Sequence, residues 1–154
     1  MDLIAEGIYK AFVLLLTVDP EVLRITLLSL SVSGAATLIS LLLGISLGIF
    51  IALKEFAGKK FVISTINTGM GLPPVVVGLF VSIFLWRNGP FGFLGLLYTP
   101  LAMIIAQSII ATPLVMGVSV AAIQHLPKNL RYQILALGAT RLQMMWLLIR
   151  EARL

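Results

Sequence analysis

Residues 25–53 read ITLLSLSVSGAATLISLLLGISLGIFIAL, 29 consecutive positions without an Asp, Glu, Lys or Arg. A hydrocarbon core about 30 Å thick takes about 20 mostly apolar residues to cross as a helix, so this run is long enough to span a bilayer. Two further stretches behave alike. Phe61–Trp86 holds 26 uncharged residues and Asn88–Pro127 holds 40, the latter with polar ends that suit one crossing better than two. Of 154 residues, 60% are apolar and 11% charged, against roughly 45–50% and about 25% in soluble domains. Mean hydropathy is +1.10. The sequence predicts an all-α integral membrane protein with transmembrane helices over 21–53, 61–86 and 99–123.

Several chemistries drop out at once. With no cysteine there is no disulfide framework or thiolate nucleophile, and the single histidine, His125, lacks a His or Cys partner for a metal. No cofactor or metal site is expected. A pI near 10.0 would suggest nucleic acid in a soluble protein, but here the basic residues sit between spans. Residues 1–24 carry a net −2, the loop Lys54–Lys60 +2, Arg87 alone +1, and the tail from Gln124 +4. Lys and Arg divide eight to three when alternate segments are grouped. The positive-inside rule then sets the amino terminus outside and the tail in the cytoplasm.

Residues 1–18 start acidic and lack a small-residue cleavage site, unlike a signal peptide. Ile4, Ile8, Ala11 and Leu15 recur at helical spacing beside a Glu6–Lys10 pair. That predicts an amphipathic helix on the outer surface, with an unstructured leader as the alternative. Asp19-Pro20-Glu21 is a helix start. Along the first span Ala36, Ser40, Gly44, Gly48 and Ala52 fall every fourth residue, a small-residue stripe that lets a second helix approach closely.

The second span is interrupted by Asn67-Thr68-Gly69-Met70-Gly71-Leu72-Pro73-Pro74. Two prolines remove two backbone donors and push Leu72 from helical angles. Exposed carbonyls are costly in lipid, so such backbone is either buried in protein or faces a watery path. A plain kink in a packing helix and a translocation-path lining are both open. Trp86–Phe93 reads as an outer loop with interfacial aromatics, and Thr99-Pro100 as cap and first residue of the third span. That span holds Gln107, which either bonds to a neighbouring helix or contacts substrate.

Beyond Pro127, Leu130, Ile134 and Leu137 mark a short amphipathic helix. Gly138 can end it in the left-handed conformation, and Thr140-Arg141-Leu142-Gln143 fits a capping box that starts another. Leu142, Met145, Trp146 and Ile149 form the expected apolar face of that second helix. Such faces need the membrane domain or another subunit to cover them, or else lie on anionic lipid.

This tail, 124–154, resembles the cytoplasmic coupling loop of permease subunits of type I ABC importers, the tungstate and molybdate branch in particular. Leu135-Ala136-Leu137-Gly138-Ala139-Thr140-Arg141-Leu142-Gln143 is similar to the loop's middle. Asn67 through Gly78 resembles the proline-broken pore helix, and Asp19-Pro20-Glu21-Val22 the tungstate branch. The family's Glu-Ala-Ala is not matched at Tyr132-Gln133-Ile134, nor its later Ile-x-Leu-Pro at Leu148–Glu151.

The resemblance implies a permease-like helical bundle with a coupling-helix pair. It implies that Leu135, Leu137, Gly138, Ala139, Thr140, Arg141 and Gln143 meet a cytoplasmic ABC ATPase. Asn67, Thr68, Gly69, Gly71, Pro73, Pro74 and Gln107 would line the translocation path. It further implies an extracytoplasmic oxyanion-binding protein, a permease homodimer in membrane lipid, and no nucleic-acid partner. Tungstate is the first substrate expected, then molybdate or sulfate. No Gly-x-x-x-x-Gly-Lys-Ser/Thr motif is present, so ATP hydrolysis would belong to the partner chain. The family core continues through two further membrane helices after the loop, which leaves a fragment, a frameshifted product or a natural truncation open. The alternative function is a non-transporting three-span assembly or regulatory subunit, or a permease remnant. A membrane enzyme has no carboxylate, His or Cys constellation to support it.

Overall fold

The computed structural model describes residues 2–17 and 19–151. Val18 and residues 152–154, which close the first and last segments delimited above, lie outside the described residues. The elements are α1 (Asp2–Leu16), α2 (Pro20–Leu53), α3 (Lys59–Met70), α4 (Pro74–Leu85), a 3₁₀ turn (Gly92–Leu94), α5 (Pro100–Gln124), α6 (Lys128–Ala136) and α7 (Arg141–Glu151). No strand occurs among the described residues.

Helix α2 begins where the sequence demands it. The Asp19 carboxylate accepts hydrogen bonds from the backbone N–H groups of Glu21 (2.9 Å) and Val22 (3.3 Å), and Pro20 occupies the first turn, where its missing donor costs nothing. At 1.5 Å per residue its 34 residues reach about 51 Å. Its buried positions are Val32, Ala36, Ser40, Gly44, Gly48, Ile49 and Ile51. The same register recurs on α5. Ser40 donates to the Ser108 carbonyl at 3.4 Å, Gly44 lies against Thr112 and Val115, and Gly48 against Met116 and Ser119. Numbers rise together along both helices, so α2 and α5 run parallel.

Parallel neighbours require the chain to return between them, and α3 and α4 do so. Ile66 shares a core with Val120 and Gly69 abuts Pro113, so α3 runs against α5. Val77, Val81 and Leu85 of α4 then pack with Ala102, Ala106 and Ile110, nearer the start of α5. The stretch read from sequence as one crossing is therefore two helices, bent by 100° at Gly71–Pro73. The start of α5 also differs from its reading. Thr99 makes no side-chain cap; its hydroxyl donates back to the Leu96 carbonyl at 2.6 Å, which satisfies it inside the preceding turn.

Outside this four-helix core of α2 to α5, the described side chains of α1 are exposed, and its Glu6–Lys10 pair (2.8 Å) is a solvent-facing bridge that contributes little. Leu27, Leu30, Leu38, Leu42 and Leu47 on α2 are likewise uncovered. Leucines at such density need lipid or another protein surface.

The α2–α5 contact sets a test. A Cβ on Gly48 would lie 2.9 Å from the Met116 carbonyl oxygen and 2.7 Å from Ser119 Cβ, and backbone cannot rotate away. Gly48→Val is expected to cost about 1–3 kcal/mol through overpacking. Gly34, with nothing within 4 Å of an added Cβ, should gain up to about 1 kcal/mol as Ala from helix propensity. Thermal unfolding of both variants in detergent, followed by size exclusion, separates the two effects.

Candidate coupling corner and broken transmembrane segment

The corner between α6 and α7 is built by local rules. Gly138 has φ +82, a conformation that costs residues with a Cβ. The N–H of Ala139 donates to the Ile134 carbonyl (3.4 Å) and that of Gly138 to the Leu135 carbonyl (3.0 Å), the paired bonds of a Schellman stop. One residue later Thr140 N–H donates to Gln143 Oε1 at 2.8 Å, and Gln143 N–H donates to Thr140 Oγ1 at 3.3 Å. That reciprocal capping box starts α7. A stop and a start thus share a few residues, which fixes the angle between two helices too short to persist alone.

The pair is seated on its own chain. Ile134, Met144 and Leu148 are buried with Ile49 of α2 and Ile123 of α5, and Ala139 packs against them. The buried side of α7 is therefore Met144 and Leu148, and the face expected from sequence is displaced. Met145 is half-buried, Trp146 and Ile149 are exposed, and the Leu142 side chain lies outside the described residues. The reason is an α7 apolar on two sides, so periodicity alone could not say which side meets the spans. Among the residues assigned to coupling, Leu137 is 87% exposed at the tip, and Leu135, Gly138, Thr140 and Gln143 are also exposed. Arg141 opens α7, but its side chain lies outside the described set.

Lys59 was not singled out by the sequence. Its ammonium donates to the Ala52 carbonyl at 3.1 Å and pairs with Glu55 at 3.0 Å, with the Lys59 side chain only 14% exposed. The cation sits on the carbonyl end of α2, where the helix dipole favours it, and so ties the start of α3 to the end of α2. The i,i+4 spacing of Glu55 and Lys59 was the available signal. A cavity of about 530 Å³ opens beside them, bounded also by Gln124, Pro127 and Tyr132. Ala52, last of the small-residue stripe, packs toward α6 and α7 and lines this cavity.

At the break, Gly71 N–H donates to the Thr68 carbonyl (3.1 Å) and Leu72 N–H to that of Gly69 (3.4 Å). Pro73 caps α4, accepting from Val76 and Val77, and Pro74 is its first residue. No hydrogen bond among the described residues reaches the carbonyls of Met70, Gly71 or Leu72. Thr68 is satisfied within α3 by the Ser64 carbonyl. Gly69 permits contact with Pro113, 3.0 Å from an added Cβ. Asn67 borders a small cavity of about 190 Å³ with Gly117 and Gln124. Gln107 is not brought to this group. It shares a side of α5 with Met103, Leu114 and Val118, all exposed.

Two parallel spans, a broken return segment and a rigid helical corner define a multi-pass α-helical membrane subunit. Residues 44–153 match the binding-protein-dependent transport system inner membrane component family. The chain belongs to that family, whose members are permease subunits of the inner membrane rather than enzymes. It is 41% identical over 153 residues to the tungstate uptake system permease protein TupB of Peptoclostridium acidaminophilum, covering 99% of this chain and 67% of that protein. It is 46% identical over 129 residues to a probable anion ABC transporter permease protein of Haloferax volcanii, covering 84% and 56%. The TupB protein of Campylobacter jejuni is 32% identical over 156 residues, covering 99% and 64%. The chain thus spans 56–67% of the length of these relatives.

The Schellman stop predicts a graded response. Gly138→Ala is expected to cost about 1 kcal/mol, and Gly138→Asn less, because Asn tolerates the left-handed region. Hydrogen exchange of the amides from Leu137 to Gln143 should quicken about fivefold in the Ala variant. Exchange in α5 should stay unchanged.

Proposed function

We propose that this chain forms the translocation core of an ABC importer permease for oxyanions, tungstate first, then molybdate or sulfate. The observation that carries the reading is the glycine-pinned α6–α7 corner seated on the ends of α2 and α5. Force applied to the exposed Leu135, Leu137, Thr140 and Gln143 by a cytoplasmic ATPase would pass through Met144 and Leu148 into both spans. Lys59 would carry it on to α3 and the break. Substrate identity leans on the names of the two TupB relatives and on the anion permease of Haloferax volcanii. The uncharged spans agree with an anion handled by backbone N–H groups and hydroxyls rather than by Lys or Arg.

In this reading the amino terminus is outside and the loop Lys54–Lys60 and the corner are cytoplasmic. An extracytoplasmic binding protein delivers the oxyanion to the side bearing the Trp86–Thr99 loop. Asn67, Thr68, Gly69, Gly71, Pro73 and Pro74 border the path. A second copy covers the apolar flank of α4 and the α5 side bearing Gln107, where Val75, Leu79, Met103, Leu114 and Val118 are exposed.

Two measurements test this. Tungstate accumulation, read by elemental mass spectrometry in cells with the intact gene, should fall to the deletion background when Pro73 and Pro74 are both Ala. The doubled substitution extends α3 into α4 and removes the free carbonyls, while membrane insertion persists. Wild-type uptake by this variant would reduce the break to a packing kink. In the second, Gly138→Val should lose co-purification with the cognate ATPase, and retained association would remove the corner from coupling.

A further inference from the structure

The side of α3 turned away from the core does not suit lipid. Val62, Ile63 and Ile66 pack with Ile51 of α2 and Val120 of α5. Lys60, Ser64, Thr65, Asn67 and Thr68 are exposed, and apolar exposure is confined to Phe61 and Met70 near the two ends. The neighbouring helices show the reverse. The exposed positions of α4 are all apolar, and those of α5 are apolar except Gln124. Depth makes this difference costly. Lys59 fixes the start of α3 to the last turn of α2, and Gly69 abuts Pro113, eleven residues before the end of α5, or about 16 Å along it. The polar side therefore lies within the half of the spans next to the corner. Thr65 and Thr68 return their hydroxyls to the Phe61 and Ser64 carbonyls at 3.0 Å, which satisfies them inside the helix. Ser64 Oγ and the Asn67 amide have no hydrogen bond among the described residues, and such groups are expensive in hydrocarbon. Gln124 borders both the small cavity with Asn67 and the larger one with Lys59.

We propose that this side of α3 is the wall of the inner half of the translocation path. Ser64 and Gln124 line it beside Asn67 and Thr68, and Lys60 is the cation at its cytoplasmic mouth. The solute it fits is a hydrated tetrahedral oxyanion. Hydroxyl and amide donors can bond its oxygens, and no carboxylate borders the cavity beside Asn67 to repel it. Lys60 has no ion pair among the described residues and draws the anion toward the cytoplasm. Lys59 cannot serve, because its ammonium is committed to Ala52 and Glu55. A cation in the first turn of a helix is opposed by the dipole, so local stability does not account for Lys60. Topology would ask for positive charge anywhere in this loop, and Lys54, stacked over the Phe50 ring at 4.6 Å, supplies the comparison. The inference rests on the oxyanion reading above and carries its path from the break to the cytoplasm.

The chain has no cysteine, so single cysteines report on this wall directly. The test uses inverted membrane vesicles from cells that express the intact gene with its ATPase. An impermeant anionic thiosulfonate should modify Ser64→Cys and Asn67→Cys and spare Leu42→Cys, an exposed position of α2 at comparable depth. Millimolar tungstate should slow modification at both reactive positions. Lys60→Gln should slow the anionic reagent at Ser64→Cys about threefold relative to a cationic one, because the local anion concentration falls. Lys60→Arg should keep the parent rate, and Lys54→Gln should leave it unchanged. Failure of both Ser64→Cys and Asn67→Cys to react overturns the proposal, since the face would then be buried in protein or lipid. An equal loss with Lys54→Gln overturns the role of Lys60, by making the effect one of loop charge. Modification that tungstate does not slow, in cells that accumulate tungstate, overturns the path. The same labelling in cells that accumulate none would keep the wetted wall and strike the oxyanion reading, so the two failures are distinguishable.

Discussion

Close, parallel contact between α2 and α5 is the constraint from which the rest of the structure follows. Two membrane helices gain little from hydrophobicity in meeting, since lipid is as apolar as leucine, so their contact depends on dispersion at short range. Gly44 and Gly48 supply that range by leaving space for Val115 and Ser119. The hydroxyls of Ser40 and Thr112 both reach the Ser108 carbonyl, at 3.4 and 2.6 Å. The shorter bond lies within α5 and the longer one crosses between helices, so packing rather than hydrogen bonding dominates. The buried Ser108 hydroxyl, without a partner among the described residues, says the same.

Once α2 and α5 are parallel, the segment between them has to cross back alongside α5. A straight helix could do so, but this one is divided. The two prolines end α3 and begin α4, and the missing donor of Pro74 together with the bend leaves the carbonyls of Met70, Gly71 and Leu72 without a hydrogen bond among the described residues. Free carbonyls in lipid cost several kcal/mol each. That cost opposes any purely structural account of the break. It is relieved where those groups are buried against protein or meet water, and the second outcome is the one the proposed path would supply.

Much of this was legible in the sequence because the signals are local or periodic. Asp19-Pro20 fixes a helix start, Gly138 a stop, Thr140 and Gln143 a restart, and the four-residue stripe from Ala36 to Gly48 a contact face. What could not be read depends on tertiary choice. Helix α7 carries apolar residues on two sides, and only the ends of α2 and α5 select Met144 and Leu148 for burial. Thr99 looked like a cap, but its hydroxyl donates to the Leu96 carbonyl and accepts no bond from the first N–H groups of α5. Gln107 and Asn67 are both polar residues of apolar stretches, yet Asn67 borders the cavity with Gly117 and Gln124 and Gln107 does not. Sequence distance carries no information about that.

Lys59 ties the end of α2 to the start of α3, between the corner and the break. A surface ion pair with Glu55, itself 87% exposed, would be worth a fraction of a kcal/mol. The hydrogen bond to the Ala52 carbonyl differs, because it places a mostly buried cation on the carbonyl end of α2. Both ends of this tether are structurally committed. Ala52 packs toward the α6–α7 cluster, and α3 leads directly into the break. A displacement of the corner is then shared by α2, α5 and α3 instead of being absorbed by the loop Lys54–Gly58. The loop is short, but short loops bend easily. It is the largely buried Lys59 side chain that stiffens this junction, and in the coupling proposed above that stiffness would join the surface corner to the broken helix.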